Sequence, residues 1–250
     1  MRYFIYLSFN GAHYHGWQQQ ENAATVQEAL NRTLSVLLKE DIQTLGAGRT
    51  DAGVHARNYV AHFDSERLAY LSERLNVVYK LNCILPDDIC IHRIVPVHDT
   101  AHARFDARLR IYKYYVHLTP NPFVHEFSTY IPYNLDIAKM NEAAAKLREY
   151  DDFSSFARLH SDNKTNICKI LQAEWEEKGD NLVFTIAADR FLRNMVRAIV
   201  GTLLEAGRGK ITVSDFAQII ERRERGAAGT SAPAKGLFLE EIRYDYVVFE

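Results

Sequence analysis

Cysteine is scarce in this 250-residue chain: Cys83, Cys90 and Cys168, odd in number and widely spaced. No CxxC pair occurs, which excludes a disulfide framework and a zinc knuckle as organising devices. Reduced thiols and a cytoplasmic setting are the expectation. A dominant charge sign is missing too. Lys and Arg total 30 against 32 Asp and Glu, a formal net charge of −2, so there is no uniform basic coat for nucleic acid. A local basic groove stays compatible with that balance, because distribution sets the field. No basic stretch leads into an apolar one in the manner of a signal peptide, and no apolar run could span a bilayer. A P-loop ending in GKS or GKT, HExxH and GxSxG are all absent. The 47% hydrophobic and 25% charged residues are those of an ordinary globular protein. The chain is long enough to bury a core without staples, as one large domain or two small ones.

Patterning gives the organisation. Residues 2–9 are aromatic and β-branched and stop at Asn10-Gly11, a strand and a turn. Thr25 and Glu28 are spaced as a capping box, and Val26, Leu30, Leu34 and Leu37 supply an apolar helix face. A glycine-rich loop follows, then an alternating strand at 58–64, a helix over 66–81 and an extended stretch at 89–97. A similar plan restarts near residue 108. It has a strand at 110–118, a helix from about Leu135 to Arg148 capped by Asn134, and a hairpin about Gly179. A long helix over 190–206 and a strand at 236–244 close it. This order predicts an α+β fold of two similar halves, 1–107 and 108–250. No Pro-, Gly- or Ser-rich linker divides them, so one continuous, mixed and mainly antiparallel sheet is expected, with helices packed on it.

The densest chemistry lies in Gly46-Ala47-Gly48-Arg49-Thr50-Asp51-Ala52-Gly53-Val54-His55-Ala56. Glycines allow sharp turns and close approach of a ligand. An acid beside an arginine can stay ionised when partly desolvated, which suits a nucleophile or base, although a lone Asp in a turn is more often a cap. On a helical wheel of ~100° per residue, Arg190, Arg193 and Arg197 fall together, opposite Leu192, Met195, Val196, Ile199, Val200 and Leu203. Such a stripe could aim guanidinium forks at phosphate or carboxylate. Tyr112 and Tyr114 share one strand face, among Arg108, Arg110 and Lys113, as a stacking platform for bases would. Arg222, Arg223 and Arg225 could extend the cationic field. His13, His15, His55 and His62 lack metal-ligand spacing.

These residues together closely resemble the TruA family of tRNA pseudouridine synthases. The resemblance runs through Phe9-Asn10-Gly11, Gly16-Trp17-Gln18, Gly48–Ala56, Phe105-Asp106-Ala107, Arg110–Tyr114, Asp152–Phe156, Phe191–Arg197, Val200-Gly201 and Ala232–Leu239. It implies isomerisation of uridine to pseudouridine at positions 38, 39 and 40 in the anticodon stem-loop of tRNA, by a homodimer, with no metal, no organic cofactor and no membrane. By that resemblance Asp51 is the nucleophile, Arg197 pairs with it, and Tyr112 packs against the target uracil. Arg49 helps extrude the nucleotide, and Arg110, Arg193 and His55 join it in binding substrate. Three alternatives stand beside this reading. They are a non-catalytic RNA-binding protein of the same fold, a synthase for another RNA site, and a metal hydrolase using His13, His55 or His62 with Asp51.

Overall fold

The computed structural model describes residues 1–158 and 165–246. In chain order the described elements are β1 (Arg2–Phe9), α1 (Val26–Leu38), β2 (Leu45–Gly46), β3 (His55–Asp64), α2 (Leu68–Ser72), α3 (Val77–Ile84), β4 (Ile89–Val97) and β5 (Ala107–His117). There follow β6 (Thr129–Tyr130), α4 (Ile137–Lys146), β7 (Ile170–Lys178), β8 (Asn181–Ala188), α5 (Met195–Gly207), α6 (Val213–Arg222) and β9 (Leu237–Tyr244). The class is α+β, and the strands pair mainly antiparallel. The chain forms two compact units: Met1–Arg108 with the C-terminal stretch from Leu239, and Leu109–Phe238.

In the first unit β1 lies between β3 and β4, antiparallel to both, with Ile5 opposite Ala61 and Ile94. Both faces of β1 are covered, which explains why Phe4, Ile5 and Leu7 are all buried instead of alternating with polar residues. The C-terminal strand β9 lies beside β3, where Glu240 pairs with Arg57 at 3.2 Å. Thr25 caps α1 by accepting from the Glu28 N–H at 3.4 Å. The apolar face ends on Leu38 rather than Leu37: Val26, Leu30, Leu34 and Leu38 are fully buried, a strict four-residue ladder. The single helix anticipated over 66–81 is two short ones. The Asn76 side chain accepts from the Tyr79 N–H at 3.0 Å and so starts α3 afresh.

In the second unit β5 pairs with β8, Tyr112 opposite Ile186 and Tyr114 opposite Phe184. The tight turn at Gly179-Asp180 joins β7 to β8, with Lys178 opposite Asn181, and β6 adds to β5 in parallel. Asp136, not Asn134, caps α4, accepting from the Lys139 N–H at 3.0 Å. On α4, Asn141 exchanges two hydrogen bonds with the backbone of Trp175 on β7, at 3.0 and 2.7 Å. A reciprocal capping box forms at Thr212 and Asp215. It opens α6, a helix the sequence reading leaves out.

The helix over 190–206 needs the largest correction. It begins at Met195, after Asn194 at φ +66°. A residue in that left-handed conformation cannot lie within a right-handed helix. The Asp189 carboxylate ties down what precedes it, accepting from the N–H groups of Arg190 and Lys169 at 2.7 and 2.8 Å. Arg190 and Arg193 therefore belong to a loop. Only Arg197 of the three is helical, so no cationic stripe runs along α5.

Candidate active site

The loop that carries Asp51 is built on an aromatic floor. Trp17 and Tyr59 stack at 4.2 Å between ring centroids, and Phe9 meets the Tyr59 ring edge-on at 5.5 Å. All three are buried, and each ring contributes about 2–3 kcal/mol by leaving water. The Tyr59 hydroxyl donates to the Gly48 carbonyl, and the Ala47 N–H donates to Val60 at 2.8 Å. The first limb of the loop is thereby fastened to β3.

The turn around Asp51 is held from the other side by residues 11–17. The Trp17 N–H donates to the Thr50 hydroxyl at 3.0 Å, and the Gly53 N–H donates to the Tyr14 carbonyl at 3.2 Å. Gly16, at φ +90°, approaches so closely that a Cβ there would sit 2.2 Å from the Thr50 carbonyl oxygen. The Val54 N–H closes the turn onto the Asp51 carbonyl at 3.2 Å. Asp51 is thus fixed through its own carbonyl and through Thr50 and Gly53 on either side, and it is half-buried. Arg49 is exposed on the same loop.

His55, the first residue of β3, is 1% exposed and accepts from the Gly11 N–H through Nδ1 at 3.1 Å. It holds the 11–17 segment against the loop and offers almost no surface of its own. His62 is buried as well, accepting from the Ala103 N–H at 3.2 Å. Desolvation, and then the neighbouring His102 and Arg2, push its pKa down to about 4. Among the described residues no three His, Cys, Asp or Glu side chains are grouped to hold a metal ion.

In the second unit Tyr112 stands half-exposed on β5, its ring edge-to-face with Phe191 at 5.1 Å and 86°. Tyr114 is fully buried. Its hydroxyl meets Thr129 Oγ1 at 2.7 Å and donates to the Pro233 carbonyl at 2.9 Å. The two tyrosines on one strand face therefore divide between surface and core. Arg110 donates to the Asp189 carbonyl at 2.7 Å. Arg193 is exposed, with its carbonyl accepting from the Arg158 N–H at 3.1 Å.

Arg197 is the third residue of α5, and its Nε donates to the Ala232 carbonyl at 2.7 Å. The Ala232 N–H donates back to the Arg197 carbonyl at 2.9 Å. Pro233, next in the chain, receives the Tyr114 hydroxyl, and the charge of Arg197 acts on that phenol. The segment 228–233 is therefore the hub that joins β5 to the start of α5. Sequence reasoning assigned it no role. The run of small residues from Gly226 to Ala234 was the available signal, since small side chains let backbone lie close to backbone.

The comparisons with known proteins agree with one another. A family model described as tRNA pseudouridine synthase matches residues 143–245. The chain is 54% identical to the tRNA pseudouridine synthase A of Bacteroides fragilis over 253 residues, covering 100% of this chain and 98% of that protein. It is 39% identical to the protein of the same name from Acetivibrio thermocellus, covering 96% of this chain and 98% of the relative. With that of Exiguobacterium sibiricum it shares 38% identity, over 97% and 96%.

Proposed function

The chain belongs to the tRNA pseudouridine synthase A family, an isomerase acting on tRNA, and from that premise we propose that Asp51 is its nucleophile and the anticodon stem-loop its target. The substrate uridines are those at positions 38, 39 and 40. What supports Asp51 most is its seat. A carboxylate whose neighbours are held at Gly16, Trp17, Tyr14 and Val54 meets the substrate without first having to be ordered.

The target base must leave its stack before any side chain can reach it, at a cost of a few kcal/mol. Arg49 assists by entering the space the nucleotide leaves, and Arg110 and Arg193 hold the phosphate backbone. Tyr112 packs its ring against the extruded uracil, with Phe191 bracing it from the side. The Asp51 carboxylate then attacks, at the sugar C1′ or at the uracil ring. The bond between N1 and C1′ breaks, the base turns, C5 bonds to C1′, and the bond to Asp51 breaks to free the carboxylate. The proton on C5 departs and N1 ends protonated, so the base neither gains nor loses atoms.

Either point of attack requires a deprotonated carboxylate, and a guanidinium nearby favours that form. Arg197 supplies it. His55 serves binding at second hand, by fastening Gly11 behind the loop. The active species is a homodimer working in the cytoplasm.

Release of tritium from tRNA labelled at uridine C5 tests this reading. The wild-type chain releases it, and Asp51→Asn reduces release by several orders of magnitude while tRNA binding persists. Undiminished release by Asp51→Asn overturns the assignment of the nucleophile, and pseudouridine mapped outside positions 38–40 overturns that of the target.

A further inference from the structure

The sequence presents Arg222, Arg223 and Arg225 as one cationic patch. The structure divides it. Arg222 and Arg223 are exposed, and Arg223 meets Asp152 at 3.3 Å. Arg225 is half-buried and turned onto its own chain. One of its terminal nitrogens donates to the carbonyls of Ala228 and Gly229 at 3.3 and 3.2 Å, and the other donates to Ser231 Oγ at 3.0 Å. A planar guanidinium spanning three acceptors fixes the path of residues 228–231 more firmly than an ammonium could.

That path leads directly to Arg197. The Ser231 hydroxyl also accepts from Asn194 Nδ2 at 2.7 Å, so one oxygen ties Arg225 to the residue that starts α5. The Gly229 N–H donates to Thr202 Oγ1 at 3.0 Å. Ala232, next after Ser231, takes the Arg197 Nε–H at 2.7 Å. With Nε bonded there, the fork formed by the two terminal nitrogens of Arg197 keeps a set direction.

We propose that Arg225 is a positioning residue for Arg197, clamping residues 228–231 so that the Ala232 carbonyl holds the Arg197 guanidinium in the orientation the isomerisation needs. This rests on the reading of Arg197 given above. It assigns Arg225 a task distinct from contact with RNA, and it makes Ser231 the joint through which the clamp acts.

The test follows the Arg197 Nε–H resonance in nitrogen-15-labelled full-length protein, assigned by its loss in Arg197→Lys. In the wild type the resonance is protected from exchange with water. In Arg225→Ala it shifts or broadens away, and single-turnover tritium release falls roughly tenfold or more, the scale on which small misplacements act. The Kd for tRNA and its salt dependence stay within about twofold, and Arg225→Lys recovers part of the rate. Ser231→Ala, which removes the shared acceptor with little change of volume, moves the resonance the same way should Arg225→Ala fold poorly. An unchanged resonance in either folded variant overturns the proposal. So does a loss of tRNA affinity with the rate on bound tRNA intact, which would make Arg225 an RNA contact. A resonance that moves while the rate holds upholds the clamp and overturns instead the assignment of Arg197 to the chemistry.

Discussion

Arg197 and Ala232 are bonded to each other twice, side chain to carbonyl at 2.7 Å and N–H to carbonyl at 2.9 Å. The first bond orients a guanidinium and the second fastens the backbone that orients it. Gly201, one turn further along α5, lets the same segment pass so closely that a Cβ would lie 1.8 Å from the Thr230 oxygen.

The support of Asp51 predicts that Gly16→Ala is far more harmful than its size suggests. The new methyl meets the Thr50 carbonyl, and φ +90° is strained for alanine. The expected loss of stability is about 2–4 kcal/mol, visible in denaturant unfolding. The rate of tritium release falls while tRNA affinity changes little, because Thr50 and Asp51 are displaced together. Wild-type rates in this variant would show that the seat of Asp51 does not matter.

Tyr112 is predicted to act through its ring. Tyr112→Phe keeps the edge-to-face contact with Phe191 and the surface for stacking on uracil. It should retain folding and tRNA binding, and any loss of rate then measures the hydroxyl alone. Tyr112→Ala removes the stacking surface, with a penalty of about 1–3 kcal/mol in binding the flipped base. Equal behaviour of the two variants in single-turnover assays would refute the stacking role.

His62 makes stability depend on pH. Its folded pKa is lowered to about 4 from an ordinary 6.5, by burial first, and His102 is lowered in the same direction. Between those values the unfolded chain binds more protons than the native one, so stability rises with pH across the window and is lost on acidification from about 6.5 towards 4. The contribution of His62 is about 2–3 kcal/mol. His62→Asn, which can still accept from Ala103, should flatten most of that slope in urea titrations at pH 4.5 and 7. An unchanged slope would place the dependence elsewhere.

Arg222 and Arg223 are the members of the 222–225 cluster that face solvent, and their engagement of RNA is testable without disturbing the clamp. Arg222→Glu with Arg223→Glu breaks the pair between the exposed Arg223 and the mostly covered Asp152, so folding of the variant is checked first by denaturant unfolding. The expectation is weaker tRNA binding and a shallower dependence of log K on log salt, by about 0.7–0.9 for each phosphate that is no longer neutralised. Unaltered affinity and slope would leave both residues as solvated charge.

Much of this molecule was legible beforehand where its signal is local. The bounds of β1 and β4, the Thr25 cap and the turn at Gly179 all follow from residues next to one another. The start of α5 was not legible. The pattern at 190–194 continues the apolar period of the helix, and what stops it is Asn194 at φ +66° and the bonds of Asp189 to Lys169 and Arg190. One of those bonds is long-range in the chain. Likewise the histidines could be named from sequence but not sorted. Only packing shows that His55 supports Gly11 and that His62 lies buried against His102.

The order of amino acids was enough to give the α+β class and the kinship with tRNA pseudouridine synthases, and to point to the Asp51 loop, because periodicity and short motifs are properties of neighbouring residues. Tertiary structure alone decided that Arg225 turns onto its own chain, that residues 228–233 form a hub, and that the stretch from Leu239 returns to the first unit. Arg225 turns onto acceptors three to six residues away, but the place of that segment is set by its bonds to Asn194, Arg197 and Thr202, which are 27 to 37 residues off. A hydrogen bond across thirty or more residues leaves no periodic trace in the chain that makes it.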